Sequence, residues 1–344
     1  MIRKENGVNT SSMKYGENPW QGRALFIDLK CGDPLGLDRF SLVAGSKPSY
    51  TNITDIDRLL QVITHIAAAF DVNRGAVPCI AVAGKHGNAC GAAVGNDRVS
   101  VMEKMISGDT RAIFGGTVMT NFPIDEEVAR TLSLHVMPGK NRRLLDLVIA
   151  PSLTDSAIKI LERKDGRCKF FANAALAHLS KTSLDTETRF RYVRGGILRQ
   201  ENYTFVLDLN DPRVEKSEVA DIGIEEDLMF AWAIGSTSNS NTVTLAKDGM
   251  LLGNGVGQQD RVGACELAIA RAKNGGHDIK GAAAYSDSFF PFTDGPEVLG
   301  DAGVRAILSS SGSVKDDAVR AKCREMEVIL YLVPDVIGRG FFGH

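Results

Sequence analysis

The sequence predicts an α/β protein built as two lobes. Helix-period and strand-length apolar segments alternate almost throughout, the pattern repeats in the second half, and 344 residues with 44% hydrophobic content can fill two ordinary cores. The first helix is expected over 53–70, with Ile56, Leu59, Leu60, Ile63, Ile66 and Ala67 on one face and Thr51, Asn52 and Thr54 as candidate caps. A buried strand follows over 76–83. Helices are expected over 97–106 and 124–134, a glycine-interrupted strand over 112–119 and a buried strand over 144–150. In the second half, 242–252 reads as a hairpin turning at Asp248-Gly249, followed by a glycine-rich run over 253–259 and a helix over 261–273. Strands at 282–286, 304–309 and 328–333 then alternate with helices at 295–303 and 314–326. The polar span 181–201 is the expected link, which sets the lobes at 1–185 and 186–344.

A formal charge of −2, from 40 Lys and Arg against 42 Asp and Glu, offers no attraction to nucleic acid or an anionic membrane. An anionic substrate would have to be met by a few placed cations. The N-terminal MIRKENGVNTSSMKYG has no apolar core, and no segment approaches the roughly 18 apolar residues that span a bilayer. A soluble, cytoplasmic protein is therefore expected. Six single cysteines are expected as free thiols, and without Cys-x-x-Cys or His-x-Glu there is no ground for a zinc site. His86 and Cys90 stand four apart but lack two further ligands, so no metal is expected.

The chemistry concentrates in Lys85-His86-Gly87-Asn88-Ala89-Cys90-Gly91, where a titratable base and a cation stand at the end of a buried strand. His86 is a candidate base; a structural histidine is the alternative. The loop over 253–259 could offer backbone N–H groups to an anion, but its G-x-G-x-G spacing departs from the dinucleotide fingerprint, and tight turns explain it as well. Arg261 is the better candidate for phosphate, because a guanidinium grips two oxygens. Phe289, Phe290 and Phe292 around Pro291 form either a plug or an aromatic wall for a flat heterocycle, with Asp294 capping a helix or accepting a ring N–H. Asn239, Ser240 and Asn241 suit a carboxamide, and equally an ordinary turn.

These segments together resemble one family, the formyltransferase half of the bifunctional purine-biosynthesis enzyme that joins AICAR transformylase to IMP cyclohydrolase. The resemblance spans nearly the whole chain. It rests on Lys14-Tyr15-Gly16-Glu17-Asn18-Pro19, Lys85-His86 with Asn88 and Cys90-Gly91, Phe114-Gly115-Gly116, Asp146 in LLDLVIAPS, Arg194-Gly195-Gly196 and Ser240-Asn241. Further on stand Gly255-x-Gly257-Gln258-x-x-Arg261, Ser286-Asp287-x-Phe289-Phe290-Pro291-Phe292-x-Asp294, Gly312-Ser313-x-x-Asp316 and a terminal His344.

The resemblance implies two cytidine deaminase-like α/β/α lobes, each a three-layer sandwich, and a homodimer with shared active sites. It implies formyl transfer from 10-formyltetrahydrofolate, as co-substrate, to the amine of AICAR. Ring closure would fall to another protein, because the opening motif already stands at Lys14. By resemblance His86 is the base, Lys85 stabilises charge on the formyl oxygen and Asn241 orients the carboxamide. Lys14, Tyr15, Arg261 and Arg339 would hold the phosphate, and Asp146 and the Gly115 backbone the base. Phe289 would wall the substrate; Phe114, Phe290, Phe292 and Asp294 would meet the folate. A structural monovalent cation near Asp287 is also within the family's range. The chain departs from the pattern at Lys14, where Arg is usual, and at Trp20. The alternatives are a formyltransferase of the same fold with another donor or acceptor, and a binding relative without turnover.

Overall fold

The structure is a computed structural model that describes residues 2–5, 8–139 and 141–342. His344, part of the resemblance, lies outside them. The elements in chain order are β1 (Ile2–Glu5), β2 (Val8–Ser12), β3 (Leu25–Asp28), β4 (Ser41–Ala44), α1 (Tyr50–Arg74), β5 (Cys79–Lys85), β6 (Asn88–Gly95), α2 (Arg98–Gly108), β7 (Thr117–Thr120), α3 (Glu126–Leu134), β8 (Leu147–Ala150), α4 (Asp155–Leu161) and β9 (Lys169–Ala172). They continue as β10 (Arg189–Val193), β11 (Gly196–Gln200), β12 (Glu215–Lys216), α5 (Ile222–Gly235), β13 (Val243–Lys247), β14 (Met250–Gly255), α6 (Arg261–Asn274), β15 (Ala283–Ser286), α7 (Asp294–Asp301), β16 (Ala306–Ser311), α8 (Asp316–Glu325), β17 (Ile329–Pro334) and α9 (Asp335–Gly338).

The chain divides into two compact units, residues 1–63 with 78–179 and residues 64–77 with 180–344. The first boundary lies inside α1, because half of that helix counts with each unit. Sequence periodicity shows where a helix is, not which core claims each turn.

In the first unit the strand order is β6-β5-β7-β8-β9-β4. The β5–β6 hairpin and β7 pair antiparallel, β7, β8 and β9 run parallel, and β4 returns antiparallel. Alternate residues of the strands, among them Ala81, Ala83, Val118 and Val148, pack with α2, α3 and α4 in one core. The opposite residues Ile80, Val82, Met119 and Ile149 are equally buried. Continuous apolar runs are what a sheet covered on both faces requires. On that second face Leu59 of α1 presses on Gly84, where a Cβ would stand 2.6 Å from its methyl carbon. The small sheet β1-β2-β3 belongs to the same unit.

The second unit repeats the order as β14-β13-β15-β16-β17-β12, with the same antiparallel hairpin, three parallel strands and antiparallel edge. Helices α6, α7 and α8 supply its core on one face. Helix α5 packs the other, with Gly235 so close to Tyr285 that a Cβ would stand 2.4 Å from the ring. Each unit is thus a three-layer α/β fold.

Most element ends follow local chemistry. Asp97, Asp125, Thr154, Asp221 and Asp260 each accept a backbone N–H at the start of α2, α3, α4, α5 and α6. Ser49 and Asn52 exchange hydrogen bonds at the start of α1. That helix runs to Arg74, four residues beyond the expected 53–70 and three before it. Asp248 and Gly249 turn the second hairpin with φ of 54° and 68°.

Two expectations are corrected. The span 112–119 is no interrupted strand: only Thr117–Thr120 extends, and Gly115 turns at φ 75°. Nor does the glycine-rich run over 253–259 form one loop. Gly253 and Gly255 lie inside β14, where a Cβ would stand 2.2 Å from the carbonyl oxygen of Ala268 and 2.1 Å from that of Ala264. These glycines exist for close helix–strand packing. Gly253→Ala should therefore cost about 1–3 kcal/mol in urea unfolding. Gly196→Ala, where a Cβ meets nothing within 4 Å, serves as the neutral control.

Asp227 of α5 accepts the N–H groups of Asp248 and Gly249, both at 2.8 Å. Burial raises its carboxyl to about 6, against the pull of those two N–H groups. A carboxyl raised on folding adds stability below its unfolded value and loses it as pH rises through about 6. Unfolding free energies of wild type and Asp227→Asn, followed by denaturant, should therefore shift in favour of wild type as pH falls from about 7 to about 4. A difference constant with pH overturns this.

Candidate active site

In the first unit β5 and β6 are joined by the two residues His86 and Gly87, at φ 53° and 75°. Positive φ at both central positions is the geometry of a tight hairpin turn whose twist matches its strands. Lys85 is the last residue of β5, half-buried, and His86 is exposed at the turn. This turn is all the loop there is, since Asn88–Gly95 follows at once as β6, a strand absent from the sequence-based expectations.

Lys85 reaches across to the β7 approach. Its Nζ donates to the Phe114 carbonyl at 3.0 Å, and a Cβ on Gly115 would stand 4.0 Å from that Nζ. The Gly115 N–H donates to Leu144 O at 2.7 Å, and the Asp146 N–H to Gly116 O at 3.1 Å, so the two segments hold each other. Asp146 accepts from Arg163 Nη1 at 2.5 Å and stays half exposed. Lys169, first residue of β9, is buried, which lowers its pKa; Asp146 opposes that shift and Lys14 adds to it. Arg163 and Lys169 thus stand beside one carboxylate, with Lys14 within electrostatic reach of Lys169. The Lys14 ammonium also lies 5.9 Å from the Tyr15 ring centroid. Cations in that arrangement can meet a dianion, and a base beside an ammonium can move a proton while charge develops on an oxygen.

Asp55 of α1 completes this neighbourhood. It accepts the Gly87 N–H at 3.3 Å and a hydrogen bond from Thr117, and lies within electrostatic reach of His86 and Asp146. Burial raises its carboxyl, and the Gly87 N–H and His86 pull it back. Sequence reasoning missed Asp55, Arg163 and Lys169. Asp55 sits in a helix read only for its apolar face, and Arg163 and Lys169 become neighbours of Asp146 only through parallel pairing of β8 with β9.

In the second unit the expected residues hold one another. Arg261, first residue of α6, pairs with the buried Asp287 through Nη1 and donates from Nη2 to Asn241 Oδ1 at 2.7 Å. Asn241 Nδ2 donates to Gln258 O at 3.0 Å, so its amide spans the two loops. The peptide between Ser240 and Asn241 is cis. The Asp287 carbonyl accepts from Gly340 N at 3.3 Å, and Phe342 N donates to Ser238 O at 2.9 Å, which docks the end of the described chain here. Arg339 pairs with Asp335 at 2.9 Å and lies 5.4 Å from the centroid of the Phe289 ring.

The three aromatic rings part company. Phe290 is 2% exposed in the core against Gly295, whereas Phe292 is 60% exposed and Phe289 half-buried. Phe290 therefore acts as the plug, and only its neighbours remain at the surface. Phe114 is exposed. Asp294 is the first residue of α7 and accepts the N–H of Gly295 at 2.8 Å.

The described cysteines are free thiols, and burial pushes Cys168 and Cys265 up to about 12, so neither is a nucleophile at neutral pH. Among the described residues no helix is long and apolar enough to cross a membrane.

A family model described as AICARFT/IMPCHase bienzyme matches residues 2–271. The bifunctional purine biosynthesis protein PurH of Anoxybacillus flavithermus is 34% identical over 324 residues, covering 94% of this chain and 58% of that protein. Its counterpart in Cutibacterium acnes is 35% identical over 328 residues, with 94% and 57% covered. The chain thus spans a little over half the length of these relatives.

Proposed function

Because this chain belongs to the AICARFT/IMPCHase bienzyme family, we propose that it transfers a formyl group from 10-formyltetrahydrofolate to the amine of AICAR, a step of purine biosynthesis. The observation that carries the reading is the Lys85-His86 turn set against Gly115 and Asp146, with Lys14, Arg163 and Lys169 gathered beside it. The acceptor amine is a weak nucleophile, since its lone pair is delocalised into the imidazole carboxamide, so attack needs a base to remove its proton. His86 is that base. As the new C–N bond forms, the formyl oxygen gains charge, and the Lys85 ammonium stabilises it. Collapse breaks the bond from the formyl carbon to folate N10, which takes up a proton. Formyl-AICAR and tetrahydrofolate leave.

The cations around Asp146 take the ribose phosphate together with Lys14 and Tyr15, which offsets the loss of a bidentate arginine fork at Lys14. Arg261 acts here by holding Asn241 in place to meet the carboxamide. Arg339 and Phe289 border the substrate; Phe114, Phe292 and Asp294 meet the folate. We read the assembly as a homodimer with shared active sites. Light scattering at assay concentration should then return roughly twice the chain mass of 37.1 kDa. A monomer that turns over refutes it.

The test of the activity is a steady-state assay of the purified protein with AICAR and 10-formyltetrahydrofolate, following tetrahydrofolate release. Turnover that requires both substrates supports the proposal. No turnover, with AICAR bound in calorimetry, overturns the donor; no binding overturns the acceptor.

A further inference from the structure

The His86 turn is not held by its own hairpin alone. A two-residue turn of this geometry favours Asn-Gly or Asp-Gly, and a histidine at its first position is strained at φ 53°. Helix α1 meets it from outside. Asp55 Oδ1 accepts the Gly87 N–H at 3.3 Å, and Arg58 Nε donates to the Gly87 carbonyl at 2.8 Å. The two side chains stand three residues apart on α1, and so project from one face. The same helix is seated tightly, with Leu59 against Gly84 just before Lys85. Hydrogen bonds on both sides of a single residue leave its peptide planes little freedom to rotate.

We propose that Asp55 and Arg58 are positioning residues: together they clamp Gly87 from both ends and hold His86 in the left-handed conformation from which its imidazole meets the acceptor amine. The inference rests on the formyl-transfer reading for its kinetic half only. The carboxylate also gives a protonated imidazole a neighbouring negative charge, which a purely structural tie would not. Asp55 and Arg58 thereby make α1 part of the catalytic apparatus without touching substrate.

The test compares Asp55→Ala, Asp55→Asn, Arg58→Met and Arg58→Lys. Asp55→Ala and Arg58→Met should lower kcat about 10–100-fold and leave the AICAR KM within about threefold, because a base displaced by an ångström loses rate rather than binding. Asp55→Asn, which keeps an acceptor for Gly87, and Arg58→Lys, which keeps a donor, should recover part of the loss. The backbone half is read independently of activity. His86-Gly87 is the only His-Gly pair in the sequence, so carbonyl-labelled histidine with nitrogen-labelled glycine isolates the Gly87 amide in a magnetic resonance spectrum. Its hydrogen exchange should accelerate at least about tenfold in Asp55→Ala. Unchanged exchange in Asp55→Ala, or a kcat within about twofold of wild type in both disruptive variants, overturns the clamp. Should wild type show no formyl transfer, the functional reading fails and the Gly87 exchange still decides the clamp. Should Asp55→Ala not fold, the exchange and kcat of Asp55→Asn and Arg58→Met decide in its place.

Discussion

His86→Ala should lower kcat for formyl transfer by about 10²–10⁴-fold while leaving AICAR binding within a few-fold of wild type. The size of the loss follows from what a positioned base supplies to a nucleophile whose proton must leave as the bond forms. Binding survives because the side chain is exposed at a two-residue turn and carries no part of the packing beneath it. Lys14, Arg163 and Lys169, which the proposal assigns to the phosphate, are untouched. Single-turnover kinetics with both substrates saturating, beside calorimetry with AICAR alone, separate the two quantities. A loss under about tenfold would assign the proton to another group. A comparable loss in AICAR affinity would make His86 a binding residue instead.

Asp287→Ala should destabilise the second unit by about 3–5 kcal/mol. Its carboxylate is fully buried against the guanidinium of Arg261, itself 8% exposed, and both lie in the network that joins Asn241, Thr242 and the segment around Gly340. Removing the carboxylate strands a cation in a place with little water, and that desolvation, more than the lost attraction, sets the cost. The double variant Asp287→Ala with Arg261→Met should therefore be more stable than Asp287→Ala alone. Urea unfolding of the three proteins checks it. A single variant less than about 1 kcal/mol from wild type, or a double variant worse than the single, would show the pair to be solvated.

Much of the first unit's chemistry was legible without coordinates because it depends on neighbours in sequence. Lys85 and His86 are adjacent, the glycines after them permit a sharp reversal, and the apolar run before them requires a buried strand, whereas β6 after the turn was not legible. Asp248-Gly249 announced the second hairpin in the same way. The aromatic cluster was legible only as a pair of alternatives. Its composition suits a plug and a wall equally, and Gly295, which leaves room for the ring of Phe290, decides that this ring goes inward. Arg261 was marked as a phosphate ligand from its charge and its place after a glycine-rich run. The start of that run proved to be the end of a strand packed on α6, and the guanidinium turns to Asp287, 26 residues away.

What the sequence by itself determined is the alternation of helices and strands, the doubled pattern, the Lys85-His86 pair at the end of a buried strand and the family to which these motifs belong. All of these are carried by local periodicity, by residues whose backbone freedom is restricted or enlarged, and by ordered matches along the chain. Only the tertiary structure decided that Arg163 and Lys169 stand beside Asp146, that Asp55 and Arg58 of α1 grip Gly87, and that Arg261 is paired with Asp287. Each of those contacts joins residues separated by at least one whole element. Their partners are selected by strand register and by how closely glycines let a helix approach a sheet, and neither quantity has a signature within a single segment.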